Sequence, residues 1–473
     1  MIDFTSNYTM TIEGEPVVTD RVLKVVNPAT GNAFATCPAA GAEDLERAVN
    51  ASRRALRPWK ALSIAERREI LNKCADAITA NAQQLANLFT MEQGRPTNLA
   101  IQEIYGASYW IKEVAKQDLP VEVIEDTKDR RIEVHHEPLG VVCGIVPWNF
   151  PVLLASWKIA PSLLAGNTLV LKPSPFTPLC TLKIGELLRE IIPAGVFNVI
   201  TGNDELGPMM TAHPGFAKIT FTGSSATGKR VMESAARDLK RLTLELGGND
   251  AAIVMPDVDV DAIAPEIFNG AFSNSAQICV ATKRLYVHEA VYDRLRDRLH
   301  ELAREAKIGD GSQQGTEFGP IQNAPQFQRV KELLADAERS GLRLLQGSDV
   351  PKTNGYFVPL TIVDDPPEGS RVVREEAFGP ILPMLKFTEL DEVIERANNS
   401  EYGLAGSVWA SDIDLAVRVA HRLETGTVWI NQNLQSTPQT PLSGHKQSGF
   451  GVENGLAGLL EFTQPKVIFI PKR

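Results

Sequence analysis

Five short β-rich runs constrain the fold more than any other feature of this 473-residue sequence. They are NTLVLKPS, GVFNVITG, FAKITFTG, LTLELGG and DAAIVM; helical patterns lie between the earlier ones, and each of the first four ends in a turn signal. Strands that alternate with helices predict parallel βαβ units, whose ligand site lies beyond the carboxyl ends of the strands. Such ends are occupied by Lys172, Gly202, Gly223 and Glu245.

A second α/β series begins after about residue 248. It includes predicted helices at 288–307 and 391–400 and a predicted strand, GTVWIN, at 426–431. From about residue 42 to 94, apolar residues recur at helical spacing, with Ser63 and Glu66 placed as a capping box. A chain of this length is expected to form two or more domains.

Two further segments predict strands outside these series. Residues 119–137 alternate apolar and polar positions around a charged centre, which indicates a two-stranded excursion from the main body. Near the C-terminus, VIFI is also typical of a strand. A projecting ribbon often serves assembly, so we expect a homo-oligomer.

Composition and charge argue against several classes of protein. The hydrophobic content of 43% is that of an ordinary globular protein, and the net charge of -10 disfavours a nucleic-acid partner, which needs a basic face. The N-terminus lacks the basic start and apolar run of a signal peptide. The charge-free stretch 138–157 contains three prolines that would break a membrane-spanning helix. We expect no membrane partner and interpret this stretch as buried strand, loop and helix start.

The five cysteines indicate neither a disulfide framework nor a zinc site, because they are odd in number, widely spread and without a C-x-x-C pair. We therefore expect no metal, and a reducing cytoplasm fits best. Cys279, in NSAQICVATKR, is ambiguous by itself. A core cysteine is the commoner fate, and an unactivated thiol is only a few per cent thiolate at neutral pH.

The stretch FTGSSATGK, residues 221–229, follows a predicted strand and opens a helix. The free N–H groups and positive dipole of a helix start suit a phosphate. The pattern is neither G-x-G-x-x-G nor a Walker A loop, and a structural turn is an equal alternative. Lys172 suits ribose hydroxyls, although an isolated lysine there is more often solvated.

Two polar residues stand in constrained apolar surroundings. Asn149, in IVPWNFP, offers the amide N–H that a developing oxyanion requires, or bonds its own backbone in a turn. Glu245 lies in an apolar strand before two glycines, where burial would raise its pKa toward neutrality and suit a general base. The alternative is a carboxylate paired with a buried base.

Taken together, these stretches resemble the aldehyde dehydrogenase superfamily. The resemblance runs from NPATG at 27–31 to the final strand and consists of seven ordered matches: Asn149, Lys172, FTGS, LELGG, NSAQIC, EEAFGP at 375–380 and SGHKQSGFGVENG at 443–455. It implies an α/β fold with a Rossmann-like NAD(P)-binding domain (1–118 and 138–247), a second α/β catalytic domain (248–446) and a small β oligomerisation element (119–137 and 447–473).

The resemblance implies a chemical role for each matched residue. Cys279 would attack the aldehyde, and the oxyanion would be held by the Asn149 side chain and the Cys279 backbone N–H. After hydride transfer, Glu245 would activate the water that hydrolyses the thioester to a carboxylic acid. CoA-acylating relatives generally lack this glutamate. A CoA-acylating semialdehyde dehydrogenase and a catalytically idle binding homologue stay open as alternatives.

The implied cofactor is NAD. Its contacts would come from Trp148, Lys172, Ser174, Gly223, Ser224, Glu376 and Phe378. Pro175 stands where many NAD-preferring members have a ribose-binding glutamate, which leaves NADP open as an alternative. Two other departures are Ala276, where glycine is frequent, and Ser443. Alanine is tolerable at 276 if that residue is not left-handed.

The substrate is the least constrained feature. Substrate entry is expected to involve Leu154, Trp157, Ile278, Val280 and the loop 432–440, including Asn433. That loop is polar and has no aromatics, so an aromatic cage for a quaternary ammonium looks incomplete. Arg284 is the one nearby candidate for a carboxylate clamp. We expect a small or medium, neutral or hydroxylated aldehyde and a homodimer or homotetramer.

Overall fold

Two mainly parallel sheets form the body of the protein. The coordinates are a computed structural model that describes residues 2–472. The first sheet has the strand order β2-β1-β9-β8-β7-β10-β11-β21. Its strands are β1 (Met10–Ile12), β2 (Glu15–Val17), β7 (Val141–Ile145), β8 (Thr168–Lys172), β9 (Phe197–Val199), β10 (Lys218–Thr222), β11 (Arg241–Glu245) and β21 (Gly449–Phe450).

The central strands of this sheet are apolar because helices cover both of its faces. All five residues of β8 and of β10 are buried. Strands β7 to β11 run parallel, so their carboxyl ends meet at one edge. Lys172 and Glu245 end their strands, and Gly202 and Gly223 follow β9 and β10. The predicted placement of these four residues is confirmed.

The second sheet has the strand order β14-β15-β16-β13-β12-β18-β19. Apolar clusters cover it on both faces. Its strands are β12 (Asp250–Val254), β13 (Thr282–His288), β14 (Arg343–Gln346), β15 (Thr361–Asp364), β16 (Ile381–Phe387), β18 (Ala405–Trp409) and β19 (Thr427–Ile430). The predicted second α/β series is confirmed.

Helices pack on both sheets. The capping box predicted at Ser63 and Glu66 is present at the start of α2. Within residues 2–472, every helix is too short or too polar to cross a bilayer. The helices are α1 (Ala42–Ala61), α2 (Ile64–Ala80), α3 (Ala82–Gln93), α4 (Thr97–Ala115), α5 (Pro151–Leu164), α6 (Leu179–Leu188), α7 (Leu206–Ala212), α8 (Ser225–Ala236), α9 (Val260–Phe272), α10 (Glu289–Glu305), α11 (Ala324–Arg339), α12 (Arg371–Arg374), α13 (Leu390–Asn398), α14 (Ile413–Ala420) and α15 (Gly455–Leu460).

A three-stranded ribbon stands apart from the two sheets. Its strands are β5 (Glu122–Asp126), β6 (Arg130–Pro138) and β22 (Thr463–Pro471), and β22 pairs with β6 along its whole length. The two-stranded excursion and the C-terminal strand were both predicted and are confirmed. Two small pairs complete the strands: β3 (Val22–Asn27) with β4 (Asn32–Pro38), and β17 (Tyr402–Gly403) with β20 (His445–Lys446).

Candidate active site

A cavity of about 450 Å³ lies between the strand ends of the first sheet and a loop before β13. It brings together many of the predicted site residues from distant parts of the chain. Among its lining residues are Trp148, Asn149, Leu154, Gly223, Ser224, Cys279, Glu376 and Phe378.

Cys279 lies on a loop with an unusual backbone. After α9, a short 3₁₀ turn (Ser273–Ala276) contains three consecutive non-glycine residues with positive φ: Asn274 at 53°, Ser275 at 53° and Ala276 at 59°. The left-handed region is unfavourable for residues with a Cβ. Alanine was expected to be tolerable at 276 only if the residue were not left-handed. Ala276 is left-handed, so its Cβ is unfavourable here.

Buried hydrogen bonds hold this strained loop. The Gln277 side chain donates to Asn274 O at 2.8 Å and accepts from Gln322 N at 2.8 Å. Ser275 Oγ donates to Gly319 O at 2.7 Å. Strained backbone persists only where its surroundings over-determine it, and it clusters at active sites. The loop therefore presents Cys279 in one orientation.

The Cys279 thiol is half-buried, whereas the four other cysteines are buried, and all five are free thiols. Burial raises the pKa of the Cys279 thiol to about 12, against the opposing charge of Lys283. Nζ of Lys283 donates to Cys279 O at 2.5 Å and lies 3.6 Å from Glu376 Oε1. The resting group is thus the thiol, and it needs a base or a nearby positive charge to react.

Asn149 is buried beside this loop. Its Nδ2 donates to Gln277 O at 2.9 Å, which occupies one of its two amide hydrogens. Asn149 also lines the cavity with Cys279, and among the described residues its Nδ2 makes no further hydrogen bond. This is the arrangement expected of an oxyanion donor.

Glu245 is buried at the end of β11, and its Oε1 has no hydrogen-bond partner among the described residues. Burial, and next the neighbouring carboxylate of Glu453, raise the pKa of Glu245 well above its usual value. Lys158 opposes this rise and forms a fully buried ion pair with Glu453. A carboxylate without a committed partner can hold and deprotonate a water molecule.

The helix α8 begins at the cavity wall. Ser224 is its N-cap and accepts from Thr227 N at 3.3 Å, while Ser225 and Ala226 of the first turn line the cavity. Thr222 Oγ1 has no hydrogen-bond partner within residues 2–472. This set of backbone N–H groups and a free hydroxyl fits the pyrophosphate of a dinucleotide.

The opposite wall carries Glu376 and Phe378. Glu376 Oε1 accepts from Gly248 N at 3.2 Å, and burial raises the pKa of Glu376. Phe378, with φ of 46°, meets Trp148 edge to face at 5.3 Å between ring centroids. These groups suit the nicotinamide ribose and ring.

Lys172 ends β8 and Ser174 follows it, and both lie beyond the lining of this cavity. Burial lowers the pKa of Lys172 to about 8, and its Nζ makes a single 3.3 Å contact with Pro173 O. A buried ammonium with one acceptor has donors left for ribose hydroxyls. Ser174 Oγ accepts from Phe176 N at 3.3 Å, so it is partly committed to the turn.

Of the residues predicted for substrate entry, only Leu154 lines the cavity with Cys279. Trp157 packs against Trp110 at 5.5 Å and lines a separate small cavity. Ile278 is buried, and Asn433 lies against Gly270, where a Cβ would come within 2.4 Å of its Nδ2. Val280 is half-buried beside the nucleophile. Sequence proximity to Cys279 or Asn149 does not ensure that a side chain faces the cavity.

Arg284 is buried and holds backbone rather than facing the cavity. It donates to Asn249 O at 2.8 Å and to Ala397 O at 2.9 Å. Arg284 therefore has a structural role and is not placed to act as the carboxylate clamp for which it was the candidate. In the part of the chain that the structure describes, no group of three His, Cys, Asp or Glu side chains is arranged to hold a metal ion.

Several residues of the site gave no signal in the sequence. Arg95, Glu103, Lys158 and Glu453 form two fully buried ion pairs near Asn149 and Glu245. Arg95, Glu103 and Lys158 stand in helices or loops without a motif, whereas Glu453 lies within the motif at 443–455, which gave no role for it. Only the three-dimensional arrangement reveals them.

A family model described as "Aldehyde dehydrogenase family" matches residues 17–468. The chain belongs to the aldehyde dehydrogenase family. "Aldehyde dehydrogenase LUC3" from a Fusarium species is 41% identical over 100% of both chains. "Succinate-semialdehyde dehydrogenase [NADP(+)] GabD" from Escherichia coli is 38% identical, covering 95% of this chain and 94% of that protein.

Solved structures of aldehyde dehydrogenases share the same fold. The Staphylococcus aureus betaine aldehyde dehydrogenase in complex with NAD+ superposes with a TM-score of 0.94 at 33% identity, covering 98% of this chain and 95% of that one. This aldehyde dehydrogenase is therefore an enzyme that oxidises aldehydes with a nicotinamide dinucleotide, and the α/β fold with Rossmann-like and catalytic parts is confirmed.

Proposed function

We propose that this aldehyde dehydrogenase is of the hydrolytic type, with Cys279 as nucleophile, Asn149 and the Cys279 N–H as oxyanion donors and Glu245 as the base for water. The observation that carries this proposal is that the partly buried Cys279 and Asn149 line one cavity, with the uncommitted buried carboxylate of Glu245 close enough to influence the pKa of the Cys279 thiol. A bound nicotinamide dinucleotide supplies the hydride acceptor.

The chain's own groups account for the remaining steps. The Cys279 thiol releases its proton to solvent, and the thiolate sulfur adds to the aldehyde carbonyl while an Asn149 amide hydrogen donates to the oxygen that becomes negative. After oxidation the acyl group is held as a thioester on Cys279. Glu245 then takes a proton from water, whose oxygen adds to the thioester carbonyl and expels the thiolate. The product is a carboxylic acid, and transfer of the proton from Glu245 to the expelled thiolate restores the free enzyme.

Among aldehydes, we infer a small or medium, neutral or hydroxylated substrate and a preference for NAD. Arg284 is committed to backbone carbonyls and so offers no carboxylate clamp. Pro175 stands where a ribose-binding carboxylate would repel a 2′-phosphate, so NADP is the alternative cofactor to test.

The deciding experiment is an aldehyde panel assayed with NAD and NADP in parallel. We expect the highest kcat/KM for a neutral aldehyde with NAD. A higher value for a semialdehyde, or for NADP, would overturn the corresponding half of the inference. Adding CoA should leave the carboxylic acid as product. An acyl-CoA product would favour the acylating alternative, and an unreactive Cys279 in thiol titration would favour an idle homologue.

We also propose a homodimer or homotetramer built through the three-stranded ribbon, within the domain division 1–118 with 138–247, 248–446, and 119–137 with 447–473. Val467 and Phe469 of β22 are 54% and 66% exposed, which is unusual for such apolar residues in a monomer. Light scattering that gave only a monomer mass would contradict this. A cytoplasmic location stays a prediction from the free cysteines.

A further inference from the structure

We propose that the buried Arg95–Glu103 ion pair is a positioning device that holds the Asn149 amide and the nucleophile loop in register. The inference rests on the proposed role of Asn149 as oxyanion donor. Neither Arg95 nor Glu103 lines the cavity, so both would act through residues that do.

Arg95 joins the two segments that form the oxyanion site. Its Nη2 donates to Asn149 O at 2.7 Å, and its Nε donates to Asn274 Oδ1 at 3.2 Å. Asn149 stands just before α5, whereas Asn274 begins the left-handed run that leads to Cys279. One planar guanidinium therefore fixes both segments at once, which suits the rigid fork geometry of arginine.

Glu103 fixes the same region from the other side. Its Oε2 accepts from Arg95 Nη1 at 2.6 Å. Its Oε1 accepts from Val152 N at 3.1 Å and Leu153 N at 3.0 Å. These are the free N–H groups of the first turn of α5, whose N-cap residue Phe150 makes no side-chain cap. The glutamate thus caps the helix that begins two residues after Asn149.

The surroundings make this arrangement rigid. The Arg95 and Glu103 side chains are 4% and 1% exposed. The guanidinium also stacks on the Phe150 ring at 4.1 Å. Buried ion pairs contribute little net stability compared with apolar residues of similar volume. Stability alone therefore does not explain why this ion pair is present, whereas a function in aligning the reacting groups does.

The test compares Arg95→Met/Glu103→Gln with wild type, each in the Asn149 and the Asn149→Ala background. The double substitution removes both charges together, and glutamine retains an acceptor for the α5 N–H groups. We expect kcat to fall about 10- to 100-fold in the Asn149 background, because a misplacement of about 1 Å costs that much. In the Asn149→Ala background we expect less than about a threefold fall, because the amide to be positioned is gone.

The matched control is Arg67→Met. Arg67 is also buried and donates to backbone, to Leu164 O at 2.9 Å, but it does not contact the active site. We expect it to lower thermal stability and to leave kcat unchanged in both backgrounds. The dissociation constant for NAD should stay unchanged in all variants.

Equal losses in the two backgrounds, or an unchanged kcat in the folded double variant, would overturn the positioning role. If the double variant does not fold, Arg95→Lys is compared in the same two backgrounds. In the Asn149 background we expect its kcat to lie between those of the wild type and the double variant. The proposed function fails separately: it requires Asn149→Ala alone to lower kcat by about 100- to 1000-fold.

Discussion

The two walls of the active site differ in how their polar groups are used. The nucleophile wall, residues 273–284, is held by hydrogen bonds within itself and to residues 319–322, and Ser275, Gln277 and Lys283 all have close partners. The cofactor wall consists of residues 221–229, extended by Lys172 at the end of β8 and Glu245 at the end of β11, which lie outside the cavity lining. There, Thr222 Oγ1 and Glu245 Oε1 have no partner among the described residues. The polar groups of the nucleophile wall are already paired within the protein. The cofactor wall has unpaired polar groups that can bind the cofactor or a water molecule.

This difference predicts different kinetic effects. Changes in the nucleophile wall should alter bond-making and leave cofactor binding intact. Changes in the cofactor wall should alter cofactor binding or water activation and leave attack by the thiol intact. The variants below test this division.

The largest effect is expected for Cys279→Ser. A serine hydroxyl is a far weaker nucleophile without a dedicated base, so we expect aldehyde-dependent NADH formation to fall by about 10⁴-fold. Absorbance of NADH measures the rate, and quenching of tryptophan fluorescence measures NAD binding, which should not change. Cys74→Ala, at a buried cysteine in α2, is the control and should retain activity. A fully active Cys279→Ser enzyme would refute the proposed mechanism.

Glu245→Gln should separate the two halves of the reaction. Attack and oxidation do not need this carboxylate, so about one NADH per active site should form rapidly. Steady turnover should then fall by about 100- to 1000-fold, because thioester hydrolysis lacks its base. Stopped-flow absorbance and mass spectrometry of the acylated enzyme check both parts. Loss of the rapid phase together with turnover would place Glu245 in the attack step instead.

The pH dependence of hydrolysis follows from the same carboxylate. Burial and Glu453 raise the pKa of Glu245, and only its ionised form is a base. Below that pKa, the decay rate of the acyl-enzyme should rise about tenfold per pH unit and then level off. Acyl-enzyme formed at one pH and transferred to buffers of different pH gives this profile. A rate that levels off already at the usual pKa of a glutamate would contradict the raised pKa.

Lys172→Met tests the cofactor wall. Removing the buried ammonium should raise the dissociation constant for NAD by about 10-fold, which corresponds to about 1.4 kcal/mol, while kcat at saturating NAD stays unchanged. Titration of tryptophan fluorescence gives the constant. Lys183→Met is the control, because this buried lysine contacts Asn7 and Glu186 rather than a strand end. Equal effects of the two variants would argue against a ribose contact.

The cofactor wall was readable from the sequence, whereas the support of the nucleophile wall was not. Strand ends are visible as local patterns of apolar runs and turns, and these placed Lys172, Gly223 and Glu245 correctly. Arg95 reaches residues 54 and 179 positions away, and no local pattern records such contacts. The motif around Cys279 identified the residue but not the left-handed backbone that presents it.

The smallest effect is expected for Ala276→Gly, which tests whether the nucleophile wall is held in a strained state. Ala276 has φ of 59°, where a Cβ costs about 1–2 kcal/mol. Glycine removes this cost but loses about 0.5–1 kcal/mol through the greater freedom of the unfolded chain. We therefore expect the midpoint of urea unfolding to stay level or rise slightly, with kcat within about twofold.

For Ala100→Gly, in α4, we expect the opposite effect on stability. This alanine is helical and buried, so glycine should lower the free energy of unfolding by about 1 kcal/mol. If Ala276→Gly were as destabilising as Ala100→Gly, the loop would not be strained at this position. If it were stabilising but slowed turnover, the methyl group itself would help to orient the Cys279 thiol, and the organisation of this wall would depend on strain as well as on hydrogen bonds.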